Sequence, residues 1–172
     1  MAKVKTLEEL KKLIEENTKK FDAKFHGTNN KRTLVICGGT GCLSSHSQEI
    51  KDELVRLIKE YHLEDKVEVN HSGCFGFCSQ GPFIRIYPEE TLYRMVKVED
   101  CKEVVEKDLI GGEIVERLLY VIPGTDKKVV KKDDIPFYKK QVRIALHGCG
   151  TIDPENINEA LGHGGFQGFI KA

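Results

Sequence analysis

The sequence predicts an α/β protein: a mixed sheet assembled in the order β-α-β and then β-β-α, with an N-terminal helix before it and a C-terminal extension after it. Three observations carry that prediction. Two short β-branched runs, residues 33–36 and 67–69, flank a stretch whose apolar residues recur at helical spacing. Two further runs, residues 82–87 and 91–96, flank a Pro-Glu-Glu turn and read as an antiparallel hairpin. Four of the six cysteines fall in the loops that leave the first two strands, Cys37 and Cys42 after the first, Cys74 and Cys78 after the second.

Taken in order, Thr6 and Glu9 form a capping box, and Leu7, Leu10, Leu13 and Ile14 then mark the apolar face of a helix over 7–20. Phe21 and Phe25 continue that face, and the Gly-Thr-Asn-Asn run at 27–30 ends it. Residues 1–30 are therefore expected to be a helical arm used for packing or docking. Residues 33–36 look like a strand buried on both faces. Ser45 and Gln48 suggest a second capping box, followed by Ile50, Leu54, Leu57, Ile58 and Tyr61 on one face of a helix to about 62. Residues 67–69 give the second strand. Two strands joined through a helix form a parallel pair with a right-handed crossover, so their carboxyl ends lie side by side. Loops 37–42 and 71–78 leave those ends, and both cysteine pairs are expected to meet at one edge of the sheet, where the ligand sites of open α/β sheets collect.

After the hairpin, residues 98–110 read as a helix stopped by Gly111 and Gly112, and a short helix is expected over 113–120. The whole order is a thioredoxin-like arrangement over residues 31–122. From Pro123 the texture changes: six lysines between Lys127 and Lys140 suggest a solvated linker. Residues 142–146 suggest a strand, and Asp153, Pro154 and Glu155 suggest a helix with proline in its first turn. Glycines 162, 164, 165 and 168 weaken the final stretch, so residues 123–172 are expected to have little core of their own.

Composition narrows what the cysteines can mean. A chain of 172 residues, 40% apolar, suits one core with appendages. The 27 basic and 27 acidic residues cancel, which argues against a nucleic-acid partner or an anionic membrane surface. The N-terminus lacks the apolar core of a signal peptide, and no apolar run nears the roughly 18 residues a membrane span needs, so a cytoplasmic protein without membrane insertion is expected. Cytosolic thiols stay reduced and read as metal ligands or redox groups before they read as disulfides.

The spacing C-x4-C followed by C-x3-C is the layout of a four-thiolate metal site. Plant-type iron–sulfur ligation would need another cysteine three positions after Cys42, where Ser45 stands, and a Rieske centre would need two histidine ligands at short spacing. A structural zinc site is the serious alternative, since two spaced pairs describe that too. A thiol–disulfide enzyme would want C-x-x-C before a helix, and neither pair has it. Cys101, on an apolar face with Val104, Val105 and Leu109, reads as core, and Cys149 as structural. His46 and His71 lie near the site, where they could touch or tune a bound metal group but read first as solvated loop-end or helix-end residues, and Phe75 and Phe77 read as shields against water or a docking surface.

On this element order, the two cysteine spacings resemble those of the thioredoxin-like [2Fe–2S] ferredoxins, a group that takes in the small iron–sulfur subunit of NADH dehydrogenase and matching domains of NAD(P)-linked iron hydrogenases. The resemblance covers residues 32 to about 120. It implies a [2Fe–2S] cluster held by Cys37, Cys42, Cys74 and Cys78, and it matches Pro82, after Gly81, to a position where such folds often hold a cis proline. A second resemblance lies in the tail. Residues 135–141, Cys149-Gly150, residues 152–155 and Gly164-Gly165-Phe166 are similar to the opening of the flavoprotein subunit of iron hydrogenases and NADH dehydrogenases. The chain stops at Ala172, before the segment that holds FMN and NADH in that family, so no flavin or nicotinamide chemistry is expected. Together the resemblances imply a one-electron carrier without a complete catalytic site, partnered by flavoprotein and iron–sulfur subunits of a hydrogenase or NADH-dehydrogenase-like complex.

Overall fold

Thr6 caps the first helix as expected: its hydroxyl accepts from the Glu9 N–H at 3.2 Å, and the Glu9 carboxylate accepts from the Thr6 N–H. The computed structural model describes residues 4–172, so the first three residues of the expected arm lie outside it. Helix α1 runs Leu7–Phe25, longer than the 7–20 its leucines suggest. The extra turn is held by tertiary contact, Phe25 packing edge-on to Tyr87 with ring centroids 4.7 Å apart.

Four strands, β1 (Arg32–Cys37), β2 (Val67–Ser72), β3 (Ile84–Tyr87) and β4 (Thr91–Tyr93), form one sheet in the order β2-β1-β3-β4. β1 runs parallel to β2 with Cys37 opposite Ser72, and it runs antiparallel to β3, which pairs with β4. β1 is buried on both faces, as its unbroken apolar run requires. Leu34 and Ile36 face one cluster with Ile50, Leu54 and Val104; Val35 and Cys37 face another with Phe75, Phe83 and Tyr138.

Between β1 and β2 the chain departs from expectation in one respect. The first cysteine loop coils into a short helix, α2 (Thr40–Leu43), and Ser45 donates back to the Gly41 carbonyl at 3.0 Å instead of capping the next helix. The second capping box therefore does not form. Helix α3 (Ser47–Glu60) starts from His46 in a left-handed conformation, φ 69°, with no side-chain cap. The helix expected over 98–110 divides into α4 (Asp100–Glu103) and a π-helix from Val104 to Ile110. The wider turn carries Asp108, which is buried and held from two sides: Arg32 bonds its carboxylate at 2.5 Å and its backbone carbonyl at 2.7 Å, and the Tyr93 hydroxyl donates to the other carboxylate oxygen.

The helix expected over 113–120 is replaced by a 3-10 turn at Glu116–Leu118 and a strand, β5 (Tyr120–Val121), because Leu118, Leu119 and Tyr120 are all drawn into the core. β5 pairs with β6 (Lys128–Val129), and the Leu92 N–H donates to the Val130 carbonyl at 2.8 Å. The lysine-rich stretch is thus not a solvated linker. Its apolar members Val129, Ile135 and Tyr138 turn inward, Lys132 lays its ammonium 5.3 Å from the Tyr138 ring centroid, the other lysines face out, and α5 (Pro136–Lys139) follows.

The strand expected over 142–146 is also absent, with Val142 and Ile144 left exposed. Pro154 precedes the next helix instead of opening it: α6 (Ile157–Gly162) is capped by Asn156, whose side chain accepts from the Asn158 N–H at 3.1 Å. α6 borrows its core from α1. Lys24 reaches from α1 to Glu159 at 2.6 Å and to Glu68 on β2 at 3.2 Å, tying three elements together. The chain closes with α7 (Gln167–Lys171).

Candidate metal centre

The parallel ladder delivers both cysteine loops to one place. Cys37 ends β1, and one residue on, the Gly38 N–H still donates to the Ser72 carbonyl at 2.9 Å, so the two loops start from a shared register. From there the loops interleave. A Cβ built on Gly39 would lie 3.0 Å from the Cys74 sulfur, and one on Gly41 would lie 3.7 Å from the Cys78 sulfur. On the third side a Cβ at Gly81 would come within 2.6 Å of the Cys42 sulfur, a close approach that only glycine permits. Gly81 leads into Pro82 through a cis peptide, where the resemblance placed it. Cys37 and Cys42 are buried; Cys74 and Cys78 are exposed.

Mutual interaction sets the Cys37 and Cys42 thiols apart from ordinary buried cysteines. The neighbouring Cys42 thiol draws the Cys37 thiol down to about 6 despite burial, with a smaller pull from the Phe75 and Gly39 backbone. Cys42 moves the other way, because its own proton is held in the hydrogen bond to Cys37 and burial disfavours a second charge. Burial likewise pushes Cys74 up, opposed by the Gly76 N–H, which donates to its sulfur at 3.3 Å. Cys37 and Cys78 also act on the Cys74 thiol, both opposing its ionisation. Among the described residues no three His, Cys, Asp or Glu side chains are grouped to share a single ion. Two thiols from each of two loops suit a two-iron group, and the Gly76 N–H on the Cys74 sulfur would steady its negative charge.

The remaining candidates sort out by position. Cys101 lies in the core, with the Ile50 carbonyl 3.7 Å from its sulfur, and burial pushes its thiol up to about 12. His46 is exposed and pairs with Glu49 at 3.0 Å. His71 is held below the ordinary histidine range by burial and by Lys51, with its Nε2 buried and unbonded. Phe75 is buried and stacks on Phe83 at 5.4 Å; Phe77 stacks on Phe137 at 4.3 Å.

The structure adds neighbours that sequence reasoning missed. Tyr138 and Arg143 both donate to the Phe75 carbonyl, between the two ligand candidates of the second loop, at 3.1 and 2.7 Å. Cys149 sits beside the same loop, 3.4 Å from where a Cβ on Gly73 would be. The sequence signals nearby were the apolar residues at 135–138 among the lysines and the tail motifs at 135–141 and 149–150, none of which places these side chains against the cysteine loop.

A family model for the thioredoxin-like [2Fe-2S] ferredoxins matches residues 10–108, more than half of the chain. A 2Fe-2S ferredoxin of Clostridium pasteurianum is 42% identical over 77 residues, 45% of this chain and 76% of that one. Another, from Aquifex aeolicus, is 47% identical over 79 residues, 45% of this chain and 71% of the other. The crystal structure of the wild-type thioredoxin-like [2Fe-2S] ferredoxin from Aquifex aeolicus is 30% identical in sequence, with a TM-score of 0.49, and its match covers 54% of this chain and 99% of that one. A four-thiol set in a close-fitting glycine cradle, with an N–H donor on the Cys74 sulfur, fits the cofactor of that family. The protein therefore belongs to the thioredoxin-like [2Fe–2S] ferredoxins, carries a [2Fe–2S] cluster and serves iron–sulfur electron transfer.

Proposed function

We propose that Cys37, Cys42, Cys74 and Cys78 are the cluster ligands and that the chain is a one-electron carrier of a cytoplasmic NAD(P)-linked iron-hydrogenase or NADH-dehydrogenase-like complex, working between a flavoprotein and another iron–sulfur protein. The observation that carries the ligand assignment is the interleaving of the two loops, in which the glycines of the first face the sulfurs of the second. When bound, the cluster supplies reversible one-electron chemistry. The chain's own residues supply the rest. Cys37 and Cys42 hold the buried side, Phe75 and Phe83 keep water from it, and the exposed Cys74 and Cys78 mark the side a partner approaches. The complex is inferred from the tail: residues 135–155 carry the flavoprotein-like motifs, and Tyr138, Arg143 and Cys149 pack against the second cysteine loop.

The test is iron and acid-labile sulfide on anaerobically prepared protein, with absorption and EPR spectra. Two irons and two sulfides per chain are expected, with an EPR signal only on reduction. Single alanine replacements at the four ligands should each lose or destabilise the centre, while Cys101→Ala and Cys149→Ala should keep the native spectrum. A colourless protein with one zinc and no sulfide would end the assignment, as would loss of the centre on replacing Cys101 or Cys149 alone. For the complex, co-purification of the native chain with flavoprotein and iron–sulfur subunits is the expected result, and its isolation as a lone soluble carrier the contrary one.

A further inference from the structure

Outside the family match, which ends at residue 108, the C-terminal segment packs along the second cysteine loop, and two of its side chains bond the backbone between the candidate ligands. The Tyr138 hydroxyl and the Arg143 guanidinium converge on the Phe75 carbonyl. That carbonyl belongs to the same peptide unit as the Gly76 N–H, which donates to the Cys74 sulfur. Arg143 is braced from behind by Gln141, which accepts from its Nε at 3.2 Å, and its charge lies over the Tyr138 ring, 5.2 Å from the centroid. Gly76 is what admits the guanidinium: its φ is +79°, and a Cβ there would come within 2.5 Å of the Arg143 Nη2. The loop is thus shaped to receive this cation and to turn the adjoining amide toward sulfur.

We propose that Tyr138 and Arg143 are positioning residues for the redox centre, acting through the Phe75–Gly76 peptide as a hydrogen-bond relay that strengthens the Gly76 N–H bond to Cys74 and so raises the reduction potential. The inference rests on Cys74 being a cluster ligand. Its physical basis is the mutual polarisation of hydrogen bonds in series: a cation and a hydroxyl drawing on a carbonyl make the N–H across the same peptide a stronger donor. A stronger N–H bond to a ligand sulfur favours the reduced, more negative cluster. The C-terminal segment thereby sets the electron affinity of a site whose candidate ligands all lie before residue 79.

The test compares Arg143→Gln, Arg143→Lys and Tyr138→Phe in the full chain, prepared anaerobically, by redox titration and by resonance Raman spectroscopy in H2O and D2O. With iron and sulfide content equal to wild type, Arg143→Gln and Tyr138→Phe should each move the midpoint to more negative potential, and Arg143→Lys should retain more of the native value. The deuterium shift of the Fe–S stretching bands should shrink in the first two. Simple charge proximity would shift Arg143→Gln yet leave Tyr138→Phe and the deuterium shift at wild-type values, and that outcome overturns the relay. If Arg143→Gln fails to assemble the centre, Tyr138→Phe keeps the ring and removes only the hydroxyl, and an unchanged midpoint there is equally fatal. Wild-type protein with no iron or sulfide sinks the cluster assignment itself; unmoved midpoints in fully loaded variants sink only the relay.

Discussion

Gly81 shows how narrow the tolerances at the centre are. It has no unusual backbone angle, yet a methyl group there would sit 2.6 Å from the Cys42 sulfur, far inside contact distance. Gly81→Ala should therefore displace a ligand or its loop. Overpacking of this kind costs about 1–3 kcal/mol in a well-packed site, and the strain falls directly on the sulfur of the proposed ligand Cys42. We expect lower iron and sulfide per chain and a lower unfolding midpoint for Gly81→Ala; full loading with a native spectrum would show that the sulfur has room to yield. The four thiols were legible in the sequence because their spacing is covalent information. Gly81 was not, since its closeness to Cys42 arises only when β3 is laid beside β1 and the turn before it is brought over the first loop.

At the scale of elements, the core order β-α-β-β-β-α was legible, since hydrophobic period and turn residues are local signals. The misreadings came where tertiary contact overrode them. Ser45 fits a capping box, but α2 claims it first. Residues 98–110 fit one α-helix, but the turn carrying Asp108 widens where Arg32 and Tyr93 grip that residue. This grip joins the π-helix to β1 and β4, and the Tyr93 hydroxyl accepts in turn from the Val115 N–H at 3.0 Å. Removing one partner of a buried charged network is strongly destabilising, because the others lose their satisfaction without regaining water. Asp108→Ala should lower stability by about 3 kcal/mol, measured by denaturant unfolding. A change below about 0.5 kcal/mol, the range of ordinary surface substitutions, would mean that Arg32 and Tyr93 find other partners.

Across the whole molecule, the C-terminal segment was the least legible part, since it has little core of its own and its place depends on surfaces supplied by distant residues. Its largely buried tie is Lys24, shared between Glu159 and Glu68. Burial pushes the Glu68 carboxyl up, but the Asn70 amide and the Lys24 ammonium outweigh it and hold it below the usual glutamate range. A carboxylate whose folded value is depressed stabilises fully above its unfolded value and loses that contribution as pH falls through the folded one. The Lys24–Glu68 half of the tie, which fixes α1 to β2, should thus hold at neutral pH and weaken below about pH 4. Lys24→Met should make residues beyond 140 more susceptible to limited proteolysis at pH 7 while the sheet remains protected; equal cleavage of mutant and wild type would show that α6 docks without it.

The stretch that extends past β4 has a further consequence. Sheets with bare margins invite strands from other molecules, and native proteins guard against this with charge and cover. Here one margin is overlaid by the lysine-bearing residues 128–131, and the other, β2, carries Glu68, Asn70 and His71 in its half-buried middle. Cover on one margin and polar groups on the other leave little bare edge for the strand of a second molecule to pair with.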